Sequence, residues 1–471
     1  MRNRSLMFIL EGADNGGNIP EVSDEETEQA QAELQNDSEV ISEITEEAYL
    51  GTDAAVDSAD AAEELEAVQD VAVKALESGE GLTEQTAEVA SIAIESIRNR
   101  LGFDTSVRLV PATESFGNTN SRVFQTKMVV EGITDTLKKI WLNIKTWIMR
   151  LWDKIRQFFA KLLGSSSSRV KIAKSIKDRA AALPSSAEPK EKTLKDHGLA
   201  SKVSMGDKEV STTDIEKIGK NTSKLAGFCE SVLALHNKEA SIIGAGFTGK
   251  PEEALRNIFK SYSDITKSIS SLSQSSFDVA APGVLDEMSG YSEKSDKKMK
   301  ETEVKYFGPF YGGKVLRVAK QETKVSETFT GGDGKITKVS VEFKNVKKSD
   351  KTTKIPALTR DQIIVYCNEV IAEANSLDGI KKLQKALDEQ QKNLTKTAEQ
   401  VLSSLNSASS ELTSDKTARM NFEVTKDIVI DNLKTMREFG NTGPAMVLVG
   451  LDFKLNYASA SLRNLRKNAT T

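Results

Sequence analysis

Hydrophobic positions recur at helical spacing over much of this chain, most sharply between Gly132 and Leu163. At about 100° per residue, Ile140, Trp141, Ile144, Trp147, Ile148, Leu151, Trp152, Ile155, Phe158 and Phe159 fall on one face about 160° wide. Arg150, Lys154 and Lys161 lie off that face, and Lys138, Lys145 and Arg156 flank it. The pattern predicts a strongly amphipathic, basic helix. Gly164 and the four serines after it read as a hinge.

The rest of the chain divides by the same test. Residues 11–66 are rich in Glu, Asp, Ala, Ser and Gln and poor in large apolar side chains, so weak order or loose helix is expected there. Residues 60–100 read as two short helices broken at Gly79 and Gly81. A basic segment at 169–182 precedes a linker rich in Pro, Lys and Glu at 183–196. Residues 213–243 carry Ile215, Ile218, Leu225, Phe228, Val232 and Leu235 near helical spacing, and Pro251 suits the first turn of a helix over 251–272. Between 302 and 348 the period shortens. Val304, Tyr306 and Phe307, then Val315, Leu316 and Val318, then Val325 and Phe329, then Ile336, Val339, Val341 and Phe343 predict short antiparallel strands, with turns at Gly312-Gly313 and Gly331–Gly334. Near-heptad spacing from Thr359 to Leu405 predicts a long helix, followed by helices over 416–438 and from Pro444 to about Arg466. The expected fold is mainly α with a small antiparallel β-sheet. Its expected parts are 1–114, 115–168, 169–300, 301–358 and 359–471.

Charge sharpens this division. Residues 1–114 hold 27 acidic against 6 basic residues, a balance of −21. Residues 115–471 hold 58 basic against 42 acidic residues, a balance of +16. Two pieces of opposite sign imply different roles. Cys229 and Cys367 cannot make a disulfide framework, and with His197 and His236 they give no zinc-ligand spacing. The apolar run around the tryptophans is interrupted by Arg150 and Lys154, short of the ~20 residues that cross a bilayer. The start, MRNRSLMFIL, lacks a secretory pattern and reads as cytoplasmic.

The sign of the charge changes in the stretch LGFDTSVRLVPATESFGNTNSR, residues 101–122. Pro111 and the Gly117-Asn118 pair bracket a segment expected to be extended and exposed, a form that a protease binds as a strand. The sequence has an acidic piece, then Ala112-Thr113-Glu114 followed by Ser115-Phe116-Gly117-Asn118, then a Val-Glu-Gly-Ile segment and a Trp/Lys/Phe-rich helix. This order resembles the internal head proteins of phiKZ-like jumbo bacteriophages. The resemblance implies a protein packed inside the capsid with the genome. It also implies an acidic propeptide removed by the phage prohead protease after a small-x-Glu triplet. Ala112, Thr113 and Glu114 would then be the recognition triplet and Ser115 the new N-terminus. Ala75-Leu76-Glu77, Ser78-Gly79-Glu80 and Ala93-Ile94-Glu95 fit the same short pattern.

Catalytic chemistry is not indicated. Gly244–Lys250 satisfies G-x-G-x-x-G and nearly a phosphate loop, but Pro251 stands where the metal-binding hydroxyl belongs, and a helical pattern precedes it where a strand is required. It reads as a turn between helices, and no cofactor is expected. The amphipathic helix has three readings: packing against later helices, lying on a membrane surface, or touching DNA through Lys138, Lys145, Arg150, Lys154, Arg156 and Lys161. Lys297, Lys298, Lys300, Lys344, Lys347, Lys348, Lys351 and Lys354 are further candidates for non-specific contact with double-stranded DNA. The expectation is a non-enzymatic virion protein of the capsid interior, present in host cytoplasm as a precursor. Its expected partners are the prohead protease, capsid or inner-body proteins and packaged DNA. The alternative is a membrane-active or host-directed effector delivered with the genome.

Overall fold

Alanine, rather than large aliphatic side chains, builds the first helix. This computed structural model describes residues 25–106, 108–203, 210–246, 251–280, 300–324, 335–346, 354–375, 378–407 and 416–469. From Glu25 the acidic segment forms one 53-residue helix, α1 (Glu25–Glu77), where weak order or loose helix was expected. Ala48, Ala55, Ala59, Ala61 and Ala62 are buried along it with Ile41, Ile44 and Leu65. Small side chains let the helix axes approach closely, and alanine costs least in a helix. A Cβ at Gly51 would sit 3.2 Å from the Trp147 ring. The predicted break falls after α1: Gly79 and Gly81 adopt φ of +75° and +66° before α2 (Glu84–Arg100), whose N-cap Thr83 accepts from the Thr86 amide.

The amphipathic helix α3 (Thr119–Gly164) is longer than its apolar stripe and is capped by Asn118, which accepts from the Ser121 amide. The expected hinge is a tight junction instead. Only Ser165 separates α3 from α4 (Ser166–Ala181). Ser165 is buried and donates to the Leu162 carbonyl, and buried Arg169 makes a two-bond pair with Asp452 at 2.8 and 3.1 Å. Four serines in sequence suggested looseness; serine hydroxyls closing on helix carbonyls remove it.

A two-stranded ribbon, β1 (Thr193–Lys195) with β5 (Lys354–Pro356), joins distant parts of the chain and has no signal in the hydrophobic pattern. The helix expected at 213–243 is two: α6 (Thr212–Ser223), opened by a Ser211–Asp214 capping box, and α7 (Leu225–Gly246), following a short α5 (His197–Val203). Pro251 opens α8 (Pro251–Ser276), as its fixed φ favours. The expected strands form an antiparallel meander, β2 (Lys300–Phe310), β3 (Lys314–Lys324) and β4 (Lys335–Asn345), with Gly312 and Gly313 at positive φ in the first turn. Val325, Phe329 and the Gly331–Gly334 turn lie outside the described residues.

The long helix expected from Thr359 is also two, α9 (Arg360–Asn375) and α10 (Asp378–Ser407). By contrast, the two last helices run together. A π turn (Glu438–Thr442) connects α11 (Lys416–Arg437) directly to α12 (Gly443–Ala469). Glycines within and just after it allow close packing. A Cβ at Gly440 would meet Leu387 at 2.9 Å, and one at Gly443 would meet the Cys229 sulfur at 2.6 Å.

One contiguous apolar core takes side chains from α1 through α12. Within it a closed ring of five phenylalanines ties the sheet to the helices. Phe228 meets Phe277, Phe277 meets Phe310, Phe310 meets Phe343, Phe343 meets Phe439 and Phe439 returns to Phe228, with centroids 4.9–6.0 Å apart. Edge-to-face pairs of this kind each contribute about 0.5–1.5 kcal/mol beyond burial.

Candidate functional site

The charge boundary lies in a short connection between α2 and α3. Thr113–Phe116 form one turn of 3-10 helix, not the extended segment expected. The reason is local. The Phe116 ring is buried, Arg122 Nε donates to the Phe116 carbonyl at 2.7 Å, and the Ser121 hydroxyl donates to the Ser115 carbonyl. The Ser115 amide and hydroxyl both donate to the Ala112 carbonyl. Ala112 and Glu114 remain exposed, and Ser115 is half-buried. A protease taking this segment as a strand must first unwind a single turn.

The amphipathic face is covered. Ile140, Trp141, Ile144, Ile148, Leu151, Trp152, Ile155, Phe158 and Phe159 are all buried, and Trp147 is half-buried. Helices α1 and α10 lie along α3, and Trp141 meets Phe422 of α11 edge-on at 5.6 Å. Burial of each large apolar side chain contributes about 1.5–3 kcal/mol. The face is packed here as the packing reading expects, and a membrane-surface role would need it bare. No helix among the described residues is long and apolar enough to cross a membrane.

The basic flank of α3 is largely engaged with neighbouring side chains. Lys138 pairs with Asp135 at 3.1 Å, Lys145 with Glu399 at 2.7 Å, and Lys154 with Glu47 of α1. Arg150 stacks over the Trp147 ring at 4.8 Å, Lys161 is half-buried and Arg156 is exposed. Of the other candidate lysines, Lys344 pairs with Glu342 at 2.9 Å and Lys354 is exposed. Lys300 opens β2. Lys297, Lys298, Lys347, Lys348 and Lys351 lie outside the described residues.

A site without a sequence signal receives the acidic helix. Thr45 donates to Asn441 Oδ1 at 3.0 Å. The Tyr49 hydroxyl donates to Glu438 Oε1 at 3.3 Å and lies 3.0 Å from the Thr442 hydroxyl. Arg437 stacks over the Tyr49 ring at 4.2 Å, pairs with Asp53 at 3.3 Å and holds Glu438 at 3.1 Å. Burial, and then the Glu438 carboxylate, keeps the Tyr49 hydroxyl well above its ordinary pKa, so it remains a neutral donor. About three turns back toward the start of α11, Lys426 is buried between Glu66 at 3.6 Å and Glu63 at 3.9 Å. Burial pushes the Glu66 carboxyl up to about 7, outweighing the Lys426 ammonium. Glu66 Oε1 is buried with no hydrogen-bond partner, which fits that direction.

The candidate chemistry of the sequence is dispersed among the described residues. His236 is buried against Glu239 at 3.1 Å, Cys229 and Cys367 are buried and free, and helix α7 precedes the glycine-rich stretch. Gly244–Gly246 close α7, while Phe247–Lys250 lie outside the described residues. Among the described residues, no group of three or more His, Cys, Asp or Glu is placed to hold a metal ion.

No curated protein and no solved structure matches this chain. A family model does, and its span begins within the acidic segment and ends within the last helix. That extent agrees with a fold in which α1 and α12 share one core. With residues 24–460 matched, the chain belongs to the phiKZ-like phage internal head proteins and is a virion protein of the capsid interior.

Proposed function

We propose that this internal head protein is a non-enzymatic structural component made as a precursor, cut after Glu114 by the prohead protease, and associated with packaged DNA through residues 115–471. One coincidence carries the reading. The point where the balance changes from −21 to +16 is also an exposed connection, with Ala112 and Glu114 open to solvent between two helices. Dispersed lysines and arginines in a segment of +16 supply salt-dependent affinity for phosphates without reading sequence. The acidic segment offsets that charge during assembly. Capsid or inner-body proteins are its other expected partners. Intact mass and N-terminal sequencing of the protein from purified virions test the cut. A start at Ser115 is expected; a start at Met1 or Arg2 would remove the precursor reading. Sedimentation with DNA at graded salt tests the charge part. The soluble fraction of residues 115–471 should bind more tightly and with a steeper salt dependence than the whole chain, and equal binding would sink it.

A further inference from the structure

We infer that a cut between Glu114 and Ser115 leaves the acidic segment seated, so that the processed protein is a two-chain complex of residues 1–114 and 115–471. The inference rests on the proposed cleavage and concerns what that cleavage does. The occupant of the α3–α4–α11 surface is α1 itself, before and after the bond is broken.

Three kinds of contact hold α1, and none runs through residues 112–115. The first is apolar. Ile41, Ile44, Leu65 and Val73, with alanines between them, are buried where α1 packs along α3, α4 and α11, and Gly51 lies against the Trp147 ring. Lifting α1 away would return much of the aromatic face of α3 to water. An apolar contact of this type resembles a protein core divided in two, as in obligate assemblies. The second is hydrogen bonding along the helix. Thr45 and Tyr49 hold Asn441, Glu438 and Thr442 near its middle, and Gln69 donates to the Thr134 hydroxyl at 3.0 Å toward its C-terminal end. Beyond it the Leu82 amide donates to the Thr126 hydroxyl at 2.8 Å. The third is charge. Lys154, Lys426 and Arg437, all contributed by residues 115–471, face Glu47, Glu63, Glu66 and Asp53 of α1. The scissile bond sits in a separate turn after α2, so cutting it removes a tether and leaves these contacts in place.

Cutting and charge reversal are then two events. The complex keeps the balance of −5 until α1 departs, and only departure bares a segment of +16. Departure therefore needs a further step that dismantles α1.

The test uses the full chain with a recognition sequence for a sequence-specific protease, flanked by short glycine-serine spacers, inserted between Glu114 and Ser115. The uncut protein must first melt like the wild type, which shows that the insertion leaves the fold intact. After complete cutting, size-exclusion chromatography at physiological ionic strength should return both fragments in one peak at the uncut volume. A separate peak of residues 1–114, or aggregation of residues 115–471 with the acidic fragment left in solution, would overturn the inference. The result is independent of the virion N-terminus. A virion protein starting at Met1 would end the cleavage reading while the two-chain measurement stood. Separation of the fragments would end this inference while a Ser115 start kept the cleavage reading.

Discussion

Gly79 and Gly81 stand in one turn at similar positive φ, yet their surroundings differ. Around Gly79 there is open space, whereas a Cβ on Gly81 would lie 2.5 Å from the backbone carbonyl carbon of Arg122. Gly79→Ala should cost about 1 kcal/mol of backbone strain. Gly81→Ala adds overlap with an immobile helix start and should cost about 2–4 kcal/mol. Urea midpoints of the two variants check the difference. The sequence marks both residues as breakers and cannot rank them, because the ranking depends on α3, forty residues away. Glu66 is a second such case. Its carboxyl, facing Glu63, Glu423 and Lys426, is raised from 4.5 to about 7 by burial. A raised carboxyl favours the folded state fully below its unfolded value and loses that contribution as pH climbs through the folded one. Stability should therefore fall by roughly 2–3 kcal/mol between about pH 4.5 and pH 7. Glu66→Gln should flatten that fall in denaturant titrations across the same window; an unchanged slope would refute the assignment.

Helices with large side chains at period 3.6 were readable. The α3 stripe was identified residue by residue, and Pro251 marked the start of α8 correctly. What escaped were elements built from small or polar side chains. Helix α1 buries Ala48, Ala55, Ala59, Ala62, Thr45 and Thr52, none of which stands out among acidic neighbours. It packs closely on distant elements, as Gly51 does on Trp147, and such contacts leave no local trace. The π turn escaped for the same reason, since Gly440 and Gly443 are explained by Leu387 and Cys229. The serine stretch after Gly164 misled because its partners are helix carbonyls and Arg169. That junction gives a firm expectation. Asp452→Ala would leave the Arg169 guanidinium buried without its carboxylate and should destabilise by about 3 kcal/mol. Exchange of the amides of α4 should rise with it, as hydrogen–deuterium exchange can show.

The abrupt change of charge at residue 114 was plain in sequence, but composition suggested two separate pieces and the fold joins them in one core. Net charge describes solubility and association, not packing. The same core settles where the tryptophans lie. With Trp141 and Trp152 buried and Trp147 half-buried, the full-length protein should show no affinity for anionic vesicles at low salt and no shift of tryptophan emission on adding them. Binding of the intact chain would contradict this packing.

The pairing of α1 with α3 also sets an order of events during synthesis. The Thr45–Asn441 bond joins residues 396 apart, so the seat of α1 on the π turn cannot form until nearly the whole chain exists. The Lys154–Glu47 contact joins two helices that leave the ribosome much earlier. The 273 residues from Gly164 to Arg437 take about 14–55 s to translate at 5–20 residues per second. Through that interval α1 is the helix on hand to shield the tryptophans and phenylalanines of α3 from other nascent chains. A gene lacking codons 1–114 should therefore yield mainly insoluble product, and supplying residues 1–114 in trans should recover part of it. Soluble, monomeric residues 115–471 made alone would show that the acidic helix is not needed as a folding escort.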